Sequence, residues 1–133
     1  MINIIYGAKG SGKTKKIIDK ANEKAKTSKG VIMYVTDSSS HSLDIDPNIK
    51  FIEVGKYGLF DEKSLVSFVK GLLAGNYDIT DIFIDGIGKF IKKDIIEMEQ
   101  LYADLDRVAN MANIEITSTV SAEELPEFMK KYV

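Results

Sequence analysis

The segment Gly7-Ala8-Lys9-Gly10-Ser11-Gly12-Lys13-Thr14 restricts this chain more than any other stretch of it. It follows Ile2-Asn3-Ile4-Ile5-Tyr6, a short β-rich apolar run that reads as a buried strand. It opens a stretch from Lys13 to about Lys26 in which Ile17, Ile18, Ala21 and Ala25 recur at helical spacing, with lysines on the other faces. Glycines turn the backbone tightly and let an anion approach it without a Cβ in the way. Successive N–H groups then form a concave nest for phosphates, and the helix adds the positive end of its dipole. The spacing Gly-x₄-Gly-Lys-Ser/Thr assigns Lys13 to the β- and γ-phosphates and the Thr14 hydroxyl to Mg²⁺. Gly7, Lys9, Gly10, Ser11 and Gly12 make up the rest of the cradle.

A loop of this kind calls for a second element, a strand ending in an acidic residue that holds Mg²⁺ through water. Ile82-Phe83-Ile84-Asp85 supplies it, and Asp85 is the expected metal-linked carboxylate. Further strands are expected at Val31–Val35, Phe51–Val54 and Ile114–Thr119. Asp61 caps a helix with the stripe Leu65, Phe68, Val69, Leu72 and Leu73, ending near Gly75. Asp94 and Glu97 have the spacing of a capping box for a long helix through Ala112, and Ser121 and Glu124 that of a box for a last one. Gly30 reads as the boundary of the first helix. Ser38–Ser42 and Gly86–Lys89 read as loops, with Lys89 placed near the phosphates. Alternating strands and helices predict a three-layer α/β/α fold with a mainly parallel five-stranded sheet, in one nucleotide-binding domain over residues 1–133.

Composition narrows the chemistry. The chain has no Cys and one His, which excludes disulfides, zinc-thiolate sites and thiol nucleophiles. No apolar run approaches the roughly 20 residues that span a bilayer, and the N-terminus lacks the order of a signal peptide, so the expectation is a cytoplasmic protein without a membrane partner. Residues 1–30 hold eight Lys against Asp19 and Glu23. Lysines on the solvated faces of a helix account for that excess, and no aromatic-basic strip indicates nucleic acid.

With the loop and Asp85 placed, the chain resembles the P-loop NTPase superfamily. It is most similar there to the RecA-like group, which includes thymidine-kinase-like proteins. One helix joins the loop strand to the second strand, and the strand after Asp85 ends in Thr117, Ser118 and Thr119. In that group similar polar residues sense the γ-phosphate, which the resemblance transfers to Ser118 or Thr119. Many such ATPases carry a glutamate directly after the metal-linked aspartate; here that position is Gly86. The resemblance then points to Asp37, after the second strand, to orient water or a substrate hydroxyl. It implies ATP and Mg²⁺ as ligands, and the absence of an Asn-Lys-x-Asp segment favours ATP over GTP. Arg107 is the only arginine and is expected to be solvated, so slow turnover is expected. The leading expectation is an ATPase or ATP-driven switch acting with a protein partner or as a homo-oligomer. A small-molecule or nucleoside kinase and a non-hydrolysing regulatory module are the alternatives.

Overall fold

A computed structural model describes residues 1–133. Its five strands are β1 (Ile2–Gly7), β2 (Val31–Thr36), β3 (Lys50–Glu53), β4 (Ile79–Asp85) and β5 (Glu115–Ser121). They form one sheet in the order β1-β5-β4-β2-β3, and every pairing is parallel. The helices are α1 (Lys13–Thr27), α2 (Glu62–Gly75), the single turn α3 (Ile87–Phe90) and α4 (Glu99–Ala112). They lie on both faces of the sheet, giving three α/β/α layers. No helix is long and apolar enough to cross a membrane.

Side chains alternate across a strand, and the alternation builds two separate cores. Met33, Val35, Ile82, Ile84 and Ile116 point toward α2 and α4 and belong to a cluster of 27 buried residues. Ile32, Tyr34 and Phe83 point the other way, against Ile17, Ile18 and Ala21 of α1, in a cluster of eight. Ile45 and Ile49, from the connection between β2 and β3, complete the smaller one. Connections running from β1 toward β3 thus use one face, and the returning connections through α2 and α4 use the other. A single crossover hand produces that partition.

Because β5 and β4 lie between β1 and β2, α1 must cross beneath both on its way from β1 to β2. This places the start of α1 under the C-terminal ends of the two central strands. In an open parallel sheet those ends are where ligands bind.

Several local expectations require correction. α1 ends at Thr27, with the Ser28 N–H bonded to the Lys24 carbonyl, so Gly30 does not end it. Gly30 is instead a close-approach glycine, since a Cβ there would collide with the Thr80 side chain and lie 2.7 Å from the Asp78 carbonyl oxygen. Asp94 and Glu97 form no capping box. They flank a 3₁₀ turn, Ile95–Glu97, and α4 begins only at Glu99, because the tighter i→i+3 bonding uses the groups a cap would have satisfied. Ser121 ends β5 rather than capping a helix, since β1 continues to Gly7 and pairs with it. Pro126 stays extended at ψ 151°, and only a 3₁₀ segment, Glu127–Tyr132, follows. The 86–89 stretch, expected as a loop, is largely taken up by α3. At Asp61 the expectation holds: its carboxylate accepts from the Ser64 N–H at 2.7 Å, and the Ser64 hydroxyl accepts from the Asp61 N–H.

Candidate functional site

The loop between β1 and α1 depends on backbone that only glycine adopts freely. Gly10 has φ +81° and Gly12 φ +89°, both left-handed. A Cβ on Gly7 would sit 2.5 Å from the Ser11 Oγ, so any larger residue there would force the Ser11 hydroxyl to move. The Ser11 N–H bonds the Ala8 carbonyl at 3.1 Å, and α1 then starts at Lys13 with no side-chain cap on its first N–H groups. Those N–H groups and the helix dipole remain available to an anion.

Lys13 is 9 % exposed, and its ammonium donates to the Ala8 carbonyl at 3.0 Å. An ammonium has three donors, so two remain beyond that bond. Burial lowers the Lys13 pKa from its ordinary value, the Lys89 charge lowers it further, and Asp85 opposes both.

Asp85 ends β4 half-buried on the α1 face. Its two oxygens are held by hydroxyls: Thr14 Oγ1 donates to Oδ2 at 2.9 Å and Thr119 Oγ1 to Oδ1 at 2.6 Å. The Tyr34 hydroxyl, from β2, stands 3.5 Å from Oδ2. Burial and the Asp85 charge raise the Tyr34 pKa well above its ordinary value, so it stays a neutral donor. Thr119 in turn accepts from the Gly86 N–H at 2.9 Å, which fixes the turn after Asp85 at φ +85°. Thr14, Asp85 and Thr119 come from α1, β4 and β5, up to 105 residues apart in the chain, and meet because α1 crosses beneath those two strands.

A cavity of about 700 Å³ opens over this cluster. The glycine loop with Lys9, Lys13 and Thr14 forms one wall and Asp85 the floor. The opposite wall comes from the connection after β4 and the start of α4, and brings in Lys89, Lys93, Asp94, Met98 and Tyr102.

Of the residues expected at the site, Lys9, Gly10, Gly12, Lys13, Thr14 and Asp85 line this cavity, while Gly7 and Ser11 shape the turn beneath it. Ser118 and Thr119 part company. Alternation puts Thr119 on the α1 face, with Asp85, and Ser118 on the other. There Ser118 is fully buried, its hydroxyl 2.8 Å from that of Tyr102. Burial pushes the Tyr102 hydroxyl up to about 12, against the effect of the Ser118 hydrogen bond. Asp37 is exposed just past β2 and does not line the cavity. Its Oδ1 lies 3.8 Å from where a Gly86 Cβ would be, on the β2 side of Asp85. The lone His41 lies in the exposed 38–42 stretch, 3.1 Å from the Asp44 carboxylate.

Sequence reasoning missed Tyr34, Lys93 and Tyr102 at the site. Tyr34 and Tyr102 read as apolar positions of a strand and a helix, and each carries its hydroxyl to the end of a packed ring. Lys93 is one of several lysines in its stretch, and only the turn α3 brings it back over the cavity. No protein-family model and no curated protein matches the chain.

Proposed function

We propose that the chain is an ATP-binding protein of the P-loop NTPase kind, a slow Mg²⁺-dependent ATPase or ATP-driven switch. The observation that carries this reading is the meeting of Thr14, Asp85 and Thr119 beside a left-handed glycine loop. A glycine turn alone has ordinary explanations. A hydroxyl from the first turn of the following helix, bonded to a carboxylate at the end of a distant central strand, is what a phosphate-bound Mg²⁺ requires.

The donor set suits that ion. Mg²⁺ takes one or two protein oxygens and completes its octahedron with waters and phosphates; Thr14 Oγ1 and Asp85 supply that number, both as hard oxygens. Bound there, Mg²⁺ would neutralise charge on the β- and γ-phosphates. The residues of the chain do the rest. Backbone N–H groups of residues 10–14 cradle the phosphates, and the Lys13 ammonium exchanges the Ala8 carbonyl for a phosphate oxygen. Thr119 and Tyr34 hold the Asp85 carboxylate in orientation. Thr119, rather than Ser118, has the position to respond to the terminal phosphate. Asp37, outside the cavity but beside the Gly86 turn, is the carboxylate that would orient water. A switch with slow hydrolysis acts through a partner or a second copy.

The test is Mg²⁺-dependent ATP binding and phosphate release by the purified protein, beside Lys13→Ala. Loss of binding in the variant, by about a hundredfold as for a buried charged partner of phosphate, with slow release by the wild type, is the expected result. Equal weak binding by both would end the reading. An Asp37→Ala protein that releases phosphate at the wild-type rate would remove Asp37 from it.

A further inference from the structure

Lys93 lies between α3 and α4 and lines the same cavity as Lys13. Its ammonium is bonded to the carboxylate of Glu62, in the first turn of α2. That ion pair joins segments 31 residues apart, with the two side chains 39 % and 24 % exposed. A pair so exposed contributes little to stability. That is little return for holding a lysine at the wall of a cavity that already contains Lys9, Lys13 and Lys89.

The surroundings favour an exchange of partners. Lys92 sits at φ +55°, an uncommon left-handed conformation for a non-glycine residue, and Gly86 at φ +85° starts the same segment. Lys89, also on that segment, already repels Lys13. An anion between these walls relieves the repulsion and offers Lys93 a more highly charged partner than Glu62. Glu62 would not be stranded, because a carboxylate in the first turn of a helix is favoured by the helix dipole.

We propose, resting on the nucleotide reading above, that Lys93 reads the terminal phosphate and that Glu62 is its latch. The γ-phosphate takes the Lys93 ammonium from Glu62 and frees the first turn of α2. Preference for the triphosphate over the diphosphate is set by that competition. The residues that bind phosphate are thereby linked to a helix outside the cavity.

The experiment is calorimetric titration of the full chain with Mg²⁺ and either ADP or a non-hydrolysable ATP analogue, with thermal unfolding of each variant. Lys93→Met is expected to lose about tenfold in affinity for the analogue, as for one charge-assisted hydrogen bond, and to keep its ADP affinity. Glu62→Gln is expected to bind the analogue several-fold more tightly, again with ADP unchanged. The exchanged pair, Glu62→Lys with Lys93→Glu, distinguishes a latch from a structural tie. It keeps an ion pair between the two positions and should unfold near the wild-type temperature, yet lose the preference for the analogue. A wild-type preference in the exchanged protein, or a preference indifferent to Lys93 and Glu62 while both ligands still need Lys13, overturns this inference alone. If neither ligand binds the wild type, the nucleotide reading falls and takes the inference with it.

Discussion

The two faces of the sheet are built for different work. The face under α2 and α4 is almost wholly apolar and carries most of the buried hydrophobic side chains. The α1 face has a small core, and its strands place Asp81, Thr117, Thr119, Thr36 and Asp85 among the apolar residues. Burying polar groups costs free energy unless they are bonded, and at the C-terminal end of the sheet they are bonded to one another. The lesson is one of division: the larger core holds the sheet rigid, so that the smaller face can keep hydroxyls and a carboxylate where the proposed site needs them.

Leu105→Ala on the apolar face should have the largest effect. Leu105 is fully buried, and its truncation should destabilise the fold by about 2–5 kcal/mol in urea unfolding. Nucleotide affinity of the folded fraction should stay near wild type. A loss of affinity there as great as any at the site would break the division between the faces. Asp85→Asn is the converse. Calorimetry should show roughly a tenfold loss of ATP affinity with Mg²⁺ and little change in EDTA, since a carboxylate contact to the hydrated ion is removed. Unfolding should move little, because the amide still offers an oxygen to Thr14 or Thr119.

Tyr102→Phe probes the one hydroxyl that reaches from α4 to the sheet. It removes the partner of the buried Ser118 hydroxyl, which keeps only a 3.3 Å contact to the Thr119 carbonyl. A destabilisation of about 1 kcal/mol in urea unfolding is expected. The smallest effect should come from Asp61→Asn, at the N-cap of α2. Hydrogen bonds from the Ser64 backbone and side chain, and to a lesser degree the Lys63 charge, hold the Asp61 carboxyl below its ordinary pKa. Because the folded value is depressed, its contribution is full above the ordinary carboxylate range and is lost as pH falls through the folded value. Asparagine caps nearly as well and does not titrate. The variant should therefore match the wild type at pH 7 and lose slightly less stability on acidification, read from urea midpoints at the two pH values.

Thr119 and Ser118 show how legible the site was. Both stood out as hydroxyls at the end of a strand, and a strict alternation counted from Ile116 would have placed Thr119 on the face opposite the large core. That α1 covers this face, and that β4 neighbours β5, is not written in either segment. Lys93 was less legible still. Its place depends on α3, a single turn whose formation rests on Ile87 and Phe90 packing into the larger core. Asp94 and Ser121 misled because a capping box can be written into a sequence at places where the sheet or a 3₁₀ turn already claims the same backbone groups.

The sequence by itself determined the glycine loop, the strand ending in Asp85, the amphipathic stripes and the alternation that makes an α/β fold. These are local: they depend on φ freedom, on periods of 2 and 3.6, and on neighbours a few residues away. Only the tertiary structure decided that β5 and β4 enter between β1 and β2, and hence that Thr14 meets Asp85 and that Ser118 turns away. Strand order is a global result of which apolar faces can be buried together. A segment carries its own pattern but not its neighbours, so the parts of the site could be read one by one while their meeting could not.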